Sequence, residues 1–386
     1  MRSSLLLAAI LVGCGSSGEV HILAGACPFG SENHLFDLDG PVLDDLAAAP
    51  LDRGAYLAWS ERSGLFGVAL GPDGTALSER QRLGPACAGG VDVLAHGDRT
   101  LVACGVAGDV ERDERGAVVV YERAADGAVR VLDRRGGVGD GHGVSLAAHD
   151  DEVIVGWQDA TGASSSAWLV EVASPAEPIR LSRGGFRASA PALAYDAEGH
   201  RLVAWGELWN DDRGDAQGRM VLQVAHRGPI AVGTLAYELP IPVLVEDAPG
   251  AILAFRDRRP ARTRPTLQLA RITADTRELT VAAGAPANAA GGGIAVPCQG
   301  AVMVVAPRTH SRTERLVSVR RHGLDLAGLG PEQQLYEHAA TFEWADALCL
   351  GDRLLVVFGS RASPDHPTGT VRSVTVDCSS VATPTE

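Results

Sequence analysis

Lysine is missing from this chain, and all 34 basic residues among its 386 are arginine. This absence excludes the Schiff-base chemistry of a lysine amine and the lysine of a phosphate-binding P-loop. The formal net charge is -14. A nucleic-acid partner is therefore not expected, because such partners are attracted by positively charged surfaces.

Long apolar segments are also missing. The segment over residues 5–11, which follows Arg2, is too short for a membrane-spanning helix, which needs about 20 residues. No later apolar run is long enough to cross a bilayer. A positive residue followed by a short apolar segment is typical of a secretory signal.

Common catalytic motifs do not occur either: H-E-x-x-H, G-x-S-x-G and the P-loop are absent. Residues 136–143 (GGVGDGHG) have the glycine spacing of a dinucleotide site, but they open no helix after a strand, so we interpret them as a loop. Residues 210–218 (NDDRGDAQG) lack the alternating carboxylates and final glutamate of a calcium loop. The sequence thus predicts no catalytic residue, no metal site and no cofactor.

The first informative motif is LVGC, residues 11–14. It resembles the lipobox of bacterial lipoproteins, in which small residues precede a cysteine that is diacylated and becomes the new N-terminus. The resemblance implies a signal peptide over residues 1–13, acyl chains such as palmitate on Cys14, and a tether over 14–31. Several acyl chains would anchor the protein stably in a membrane. An ordinary signal with an incidental cysteine is the alternative.

Gly15 follows that cysteine. In this respect the sequence resembles lipoproteins that are sorted to the outer membrane, which have a residue other than aspartate after the lipidated cysteine. The expected location is therefore the bacterial cell envelope, with the protein facing the periplasm or the cell surface.

The body of the chain contains a repeat of about 50 residues. Short apolar strings bounded by Gly, Asp and Pro indicate strands and turns. One string recurs with spacings of 45, 53, 48, 50, 51 and 52 residues, and we call its last residues the anchors. The anchors are Trp59, Cys104, Trp157, Trp205, Phe255, Ala306 and Phe358.

A repeat of this length with four candidate strands per unit predicts an all-β, seven-bladed β-propeller. In the third unit the strands are expected at 143–149 (A), 152–157 (B), 166–172 (C) and 177–182 (D). Solenoid units are usually shorter, and separate sandwich domains would need about 100 residues each. The Trp and Phe anchors are expected in the interfaces between blades.

The seventh unit ends after its third strand. Residues 32–38 lie as far ahead of the first strand A as other D strands do, so we expect them to complete the last blade beside residues 371–377. We call residues 32–38 the latch. The propeller is then expected over residues 32–378, with a polar tail over 379–386.

Cysteine usage indicates an oxidising compartment. Cys298 and Cys349 each lie two residues before the glycine of an A–B turn, on adjacent blades. Cys87 precedes strand A of the second blade and Cys104 ends its strand B, so both are expected on the same face. Each of these pairs predicts a disulfide.

The last expected disulfide is Cys27–Cys378, which would join the start of the chain to the last blade. Free thiols are the alternative for all six cysteines. A metal site is not expected, because no C-x-x-C pair exists.

One face of the propeller carries an organised set of charges. If strand B ends at each anchor, the B–C loops emerge on one face, and several of them are charged. Acidic residues are expected in the loops of blades two (109–114) and four (211–215). Carboxylates follow four anchors by two residues: Glu61, Asp159, Glu207 and Asp257. Arginines cluster in blades five and six: Arg256, Arg258, Arg262, Arg264, Arg308 and Arg312. Such a field can orient a charged partner, whereas the alternative is charge used for solubility and turns.

Three functions fit these features. The leading hypothesis is a monomeric, membrane-anchored, non-enzymatic binding or scaffold protein, whose partner is an envelope protein or an anionic polysaccharide. The second is an extracellular glycan-active hydrolase or lyase on a propeller scaffold. The third is an envelope assembly factor that bridges subunits.

Overall fold

The structure is a computed structural model. It describes residues 27–40, 43–108, 116–138, 143–161, 164–225, 227–232, 239–257, 266–277, 281–286, 293–298, 300–309, 315–328, 333–335, 342–360 and 368–377. Every regular element in these ranges is a β-strand. The same ranges contain no helix that could span a membrane.

The strands form seven antiparallel sheets, which are the blades of a propeller. Blade 1 contains β2 (Leu43–Leu51), β3 (Gly54–Glu61), β4 (Gly64–Leu70) and β5 (Gln81–Gly84). Blade 2 contains β6 (Gly89–His96), β7 (Arg99–Val106), β8 (Gly116–Arg123) and β9 (Val129–Val138). Blade 3 contains β10 (Val144–His149), β11 (Glu152–Thr161), β12 (Ser164–Glu171) and β13 (Ile179–Arg180).

The remaining blades follow the same order. Blade 4 contains β14 (Arg187–Ala188), β15 (Ala192–Tyr195), β16 (Arg201–Asn210), β17 (Ala216–Val224) and β18 (Ile230–Val232). Blade 5 contains β19 (Pro242–Asp247), β20 (Gly250–Asp257), β21 (Thr266–Ile272) and β22 (Ala282–Pro286). Blade 6 contains β23 (Ile294–Cys298), β24 (Ala301–Thr309), β25 (Arg315–His322) and β26 (Gln333–Leu335). Blade 7 contains β27 (Phe342–Leu350), β28 (Arg353–Ser360), β29 (Thr370–Val376) and β1 (Asn33–Asp37).

Strand A is the innermost strand of each blade, because the A strands of successive blades contact one another around the ring. The A–B and C–D turns lie at one end of the blades, which we call the A–B face. The B–C and D–A connections lie at the opposite end, which we call the B–C face. The predicted seven-bladed propeller is therefore confirmed.

The A–B turns are tight because their residues adopt positive φ. Gly97, Gly300 and Gly351 have φ of 61°, 66° and 62°. Asp150 takes the same conformation in blade 3, with φ of 51°. A side chain at these positions is strained unless it is Gly, Asn or Asp, so the glycines set the hairpins that the sequence repeats.

The core is divided among the interfaces between blades. Trp59 packs with Leu355 and Val357 of blade 7, and Trp205 packs with Ile154 and Leu169 of blade 3. Trp157 lies in the cluster between blades 2 and 3, Phe255 in the cluster between blades 4 and 5, and Phe358 in the cluster between blades 6 and 7. Burial of each large apolar side chain contributes about 1.5–3 kcal/mol, so a blade without its neighbours would lose most of its stabilisation. The expected place of the aromatic anchors is confirmed.

The ring is closed by the latch. Strand β1 pairs antiparallel with β29, with His34 opposite Arg372 and Asp37 opposite Thr370. Phe36 then stacks on Trp59 of blade 1, with ring centroids 5.1 Å apart. Closure by an N-terminal strand is therefore confirmed, and the latch contacts both ends of the ring.

Two of the three expected disulfides are present. Cys87 is bonded to Cys104 within blade 2, and Cys298 is bonded to Cys349 between blades 6 and 7. Cys27 is also disulfide-bonded, whereas Cys378 lies outside the described residues. Each such bond stabilises a fold by about 2–4 kcal/mol.

Strand B does not end at the anchors, and this part of the sequence prediction is wrong. Strands β3, β11, β16, β20 and β28 continue for two to five residues beyond Trp59, Trp157, Trp205, Phe255 and Phe358. Cys104 likewise lies two residues before the end of β7. The extra residues keep pairing with strand C, as Glu207 does with Arg219. Residues two positions after the anchors are therefore strand residues and not loop residues.

Candidate functional site

The carboxylates predicted to mark the B–C face fall at the ends of strand B. Glu61 and Glu207 are 0% and 1% exposed. Asp159 lies inside β11 and is partly exposed, and Asp257 is the last residue of β20. Two of these residues therefore cannot meet a partner directly.

The predicted arginines are divided between strands and undescribed segments. Arg256 is a half-buried residue of β20 and Arg308 lies in β24, so their assignment to loops is wrong. The other predicted arginines, the expected acidic residues of blade 2 and the expected lipidation site lie outside the described residues: Arg258, Arg262, Arg264, Arg312, residues 109–114 and Cys14.

Glu61 is the centre of a cluster at the B–C face of blade 1, the blade 1 cluster. Its Oε2 accepts the N–H of Asp39 at 2.7 Å, and its Oε1 accepts Nη1 of Arg80 at 2.8 Å. Arg80 also donates to Asp39 at 3.0 Å and lies over the Phe66 ring at 4.7 Å. Ser63 donates to the second oxygen of Asp39 at 2.7 Å. The cluster fixes the connection between the latch and strand A.

The two acids of the blade 1 cluster are shifted in opposite directions. Burial raises the pKa of Glu61, although Asp39 N–H and Arg80 oppose the shift. Hydrogen bonds from Ser63 and Arg80 lower the pKa of Asp39. Opposed shifts can mark an acid and a base in an active site. Here both oxygens of Glu61 are engaged and the residue is fully buried, so it acts as a structural tie.

Glu207 is the centre of a similar cluster, the blade 4 cluster. Arg219 donates through Nε and Nη2 to Glu207 Oε2 at 2.9 and 2.6 Å. Trp205 Nε1 donates to Oε1 at 3.1 Å, and the Arg183 N–H donates to the same oxygen at 3.3 Å. Charge-assisted bonds of this kind are about twice as strong as neutral ones. Glu207 therefore holds strand B, strand C and the D–A connection together.

An aromatic pair lies beside this glutamate. Phe186 of the D–A connection stacks on Trp209 with ring centroids 5.2 Å apart, and both rings are partly exposed. The guanidinium of Arg219 lies 5.5 Å from the Phe186 centroid and 5.3 Å from the Trp209 centroid. Cation–π contacts orient such rings. We call Phe186, Trp209 and Arg219 the aromatic shelf.

The sequence reasoning missed the aromatic shelf, although a signal existed. Trp205, Glu207 and Trp209 alternate along strand B, so all three side chains lie on one side of the blade. Phe186 lies in a connection with no strand pattern of its own. Only the pairing of β14 with β16 places it beside Trp209.

The neighbourhood of the shelf carries exposed positive charge. Arg183 and Arg187 are exposed, and neither forms an ion pair among the described residues. Arg187 pairs with Leu208, one position before Trp209, so its side chain starts on the other side of the strand. The backbone N–H of Arg183 donates to Glu207, so this exposed arginine, which has no ion pair among the described residues, starts next to the shelf.

The acidic segment 210–218 forms the B–C turn of blade 4. Asp211 accepts the N–H of Arg213 and of Asp215, both at 2.9 Å, and its other oxygen accepts the Gln217 amide at 3.1 Å. This pattern is a local turn stabilised by an aspartate side chain. Asp212 and Asp215 remain exposed in that turn.

Three aspartates on inner strands form a separate feature that the sequence reasoning missed. Asp45, Asp92 and Asp346 each accept the N–H of their own next residue. Each also accepts an N–H from the inner strand of the next blade: Asp346 from Ala48 (2.7 Å), Asp45 from Val91 (2.8 Å) and Asp92 from Leu146 (2.6 Å). The carboxylates thereby satisfy inner-edge donors and tie blades 7, 1, 2 and 3 together.

Two of these aspartates, Asp92 and Asp346, have raised pKa values. Burial raises the pKa of Asp92 to about 7, and the carboxylates of Asp346 and Asp45 raise it further, against the effect of its N–H donors. Burial likewise raises the pKa of Asp346 to about 6. In each inner strand the aspartate is followed directly by apolar residues, and this is the sequence signal for it.

One group in the described residues has metal-ligating side chains close together. Asp196, Glu198 and His200 lie in the A–B turn of blade 4, with one ligand atom of each within 4.8 Å of the others. Asp196 already accepts the N–H of Glu198 and of His200 through Oδ1, and its Oδ2 lies 3.0 Å from His200 Nδ1. The arrangement is that of a turn closed by an aspartate.

No protein-family model and no curated protein matches the sequence. Among solved structures, a neuraminidase-like protein of A/flat-faced bat/Peru/033/2010 is similar at 12% identity, with a TM-score of 0.49 over 92% of this chain and 95% of that one. An α-L-arabinanase of Penicillium chrysogenum is similar at 10% identity, with a TM-score of 0.48 over 92% of this chain and 100% of that one. A protein of unknown function from Dyadobacter fermentans is similar at 12% identity, with a TM-score of 0.47 over 74% of this chain and 94% of that one.

Proposed function

We propose that this chain is a membrane-anchored extracytoplasmic lipoprotein whose propeller is a non-enzymatic binding scaffold. The B–C face captures an anionic partner of the envelope, either an anionic polysaccharide or an acidic protein surface. Acyl chains on Cys14 supply the anchor. The propeller supplies a rigid face on which connections of different blades present charge.

The observation that supports this proposal is that two buried glutamates hold D–A connections in place. Glu61 and Glu207 each bind one arginine and one backbone N–H of a D–A connection. Both are enclosed, so they fix the connections and offer no acid to a substrate. A connection held in place before binding loses less entropy when a partner is bound.

The arginines of blades five and six add to this support. Strand β20 ends at Asp257 and β21 begins at Thr266, while β24 ends at Thr309 and β25 begins at Arg315. In the sequence, Arg258 and Arg262 fall between the first two of these strands and Arg312 falls between the other two. Arginine grips planar carboxylates in a bidentate manner, which suits an anionic partner.

The anchor is tested first. Replacement of Cys14 by Ser is expected to abolish labelling with radioactive palmitate and to leave a precursor or a released protein. Replacement of Cys27 by Ser is the matched control, because it also removes one cysteine near the start of the chain. Palmitate incorporation at the wild-type level in the Cys14→Ser variant would overturn the anchor.

Partner capture is tested with the soluble body lacking residues 1–18 and with polygalacturonate as the anionic polysaccharide. The first variant replaces Arg258, Arg262 and Arg312 together by Ser. It is expected to bind polygalacturonate at least tenfold more weakly and with a smaller dependence on salt. The control variant changes Arg53, Arg277 and Arg353 to Ser. These three arginines are exposed at the A–B face, so the control loses the same charge as the first variant. Unchanged affinity and salt slope in the first variant would overturn the role of these arginines.

The same experiment separates binding from catalysis. The reducing ends released from polygalacturonate are measured over a day at several pH values. No release is expected. Release that depends on the intact protein would replace the binding proposal by the glycan-active enzyme.

A further inference from the structure

Between blades 3 and 4, at the B–C face, the aromatic shelf lies beside an exposed arginine. Phe186 and Trp209 stack at 5.2 Å and keep part of their surface in solvent. The N–H of Arg183 is bonded to Glu207, so this residue begins within the cluster, and its exposed side chain forms no ion pair with the described residues. The exposed side chain of Arg183 thus starts three residues before Phe186, from a backbone that is bonded to Glu207.

We propose that Phe186, Trp209 and Arg183 form a subsite for one hexuronic acid residue of an anionic polysaccharide. The C–H face of the pyranose ring packs on the aromatic shelf, and the carboxylate binds Arg183. This proposal rests on the proposed function and names the chemical class of its ligand.

The subsite is built in advance of the ligand. Glu207 fixes Arg219 through two hydrogen bonds, and the guanidinium of Arg219 lies within 5.5 Å of both ring centroids. The D–A connection is tied to blade 3, because Ser165 donates to the Ala188 carbonyl at 2.8 Å and Gln158 donates to it at 2.6 Å. Rings that are already oriented lose little entropy when a sugar packs on them.

Charge decides which sugar the subsite fits. Arg219 is neutralised by Glu207, so the pair adds no net charge. Arg183 has no ion pair among the described residues, and its backbone is bonded to the glutamate of the shelf. A neutral sugar could use the rings alone, whereas a uronic acid also uses the guanidinium, which binds planar carboxylates better than it binds hydroxyls. Preference for the carboxylated sugar should therefore depend on Arg183.

The test uses the soluble body lacking residues 1–18 and calorimetric titration with a trimer of galacturonic acid and, separately, a neutral trimer of galactose. Trp209→Ala is expected to weaken binding of the charged trimer at least tenfold, and Trp209→Phe, which keeps a flat ring, should restore most of it. Arg183→Ser is expected to lower affinity for the charged trimer about tenfold and to leave the neutral trimer unaffected.

Two controls are matched to these variants. Arg187→Ser removes the same charge from the same connection on the other side of the strand. Ile179→Ala removes an exposed apolar side chain of blade 3, which is 58% exposed. Neither should change affinity for the charged trimer, and thermal melting checks that every variant is folded.

The outcomes separate this inference from the proposed function. Polygalacturonate binding that depends on Arg258, Arg262 and Arg312, together with full trimer affinity in Trp209→Ala and Arg183→Ser, would overturn the subsite alone. Equal losses in Arg183→Ser and Arg187→Ser would overturn the assignment of Arg183. Absence of binding to both the polymer and the trimer would overturn the subsite and polysaccharide capture together.

Discussion

Glu61 and Glu207 occupy the same place in blades 1 and 4, but their surroundings differ. Each lies two residues after a buried tryptophan, binds one arginine and accepts one N–H from a D–A connection. In blade 1, Asp39 shares Arg80, so the cluster holds more negative than positive charge. In blade 4, Arg183 has no ion pair within the described part of the chain, and the rings of Phe186 and Trp209 reach solvent. The repeat thus places a glutamate at the same position in both blades, whereas the residues of the D–A connection determine which side chains are exposed at the B–C face.

The largest expected effect comes from removal of the latch. Deletion of residues 27–38 takes away the outer strand of blade 7, the ring that stacks on Trp59 and the disulfide of Cys27. We expect a loss of about 5 kcal/mol or more in the free energy of unfolding, from the lost apolar burial and the lost disulfide.

Denaturant unfolding measures that loss, and amide hydrogen exchange localises it. Exchange should increase most in blades 7 and 1 and least in blade 4. Deletion of the polar tail, residues 379–386, is the control. An unchanged unfolding midpoint, or equal exchange in blades 1 and 4, would contradict the role of the latch.

The second prediction compares the two glutamates directly. Glu207→Ala removes the carboxylate partner of Arg219, whereas Glu61→Ala leaves Arg80 beside Asp39 at 3.0 Å. Loss of one partner of a buried ion pair costs about 3–5 kcal/mol. We expect a cost near the lower end of that range for Glu207→Ala and about 1–2 kcal/mol for Glu61→Ala, because Asp39 still offsets the arginine.

Denaturant midpoints of the two variants provide the measurement. Asp39→Ala in the Glu61→Ala background should raise the blade 1 cost toward the blade 4 value. Equal costs for the two single variants would mean that Asp39 does not compensate for the lost glutamate.

The third prediction is the smallest and concerns pH. The raised pKa of Asp92, about 7, means that folding favours its protonated form. Its stabilising contribution is complete below the unfolded pKa near 4 and is lost as the pH rises to about 7. The melting temperature should therefore fall between pH 4 and pH 8, and Asp92→Asn should flatten the fall by about 1–3 °C.

Asp37→Asn is the control for that measurement, because Asp37 is an exposed residue of the latch, with a side chain 67% exposed. An Asp92→Asn profile that runs parallel to the wild type would contradict the shifted pKa. Asp346→Asn should act in the same direction with a lower midpoint, since its pKa is about 6.

The fold could be predicted because its signals are local and repeated. The anchors return about every 50 residues, and apolar strings between glycine turns indicate strands wherever they occur. The latch could be predicted from a count of strands, because the last unit lacks its fourth strand. The pairs Cys87–Cys104 and Cys298–Cys349 followed from the register of neighbouring blades.

The candidate site could be predicted only in part. Glu61 and Glu207 were recognised as residues of one face, but their burial depends on Arg80 and Arg219, which come from other strands. The end of strand B was misjudged because Glu and Asp usually indicate turns, while here pairing with strand C continues through them. The aromatic shelf could not be predicted, because it depends on a contact between Phe186 and Trp209, which are 23 positions apart in the sequence.

The position of the latch also bears on which face of the propeller would be oriented toward a membrane. Strand β1 runs from the A–B face toward the B–C face, so the chain enters the ring at the A–B face, where Phe29 bridges Val376. Cys14 precedes Cys27 by 13 residues, which span at most about 45 Å when fully extended. With acyl chains on Cys14, the A–B face would be turned toward the bilayer, and the aromatic shelf would point outward, within reach of polymers that never touch the lipid.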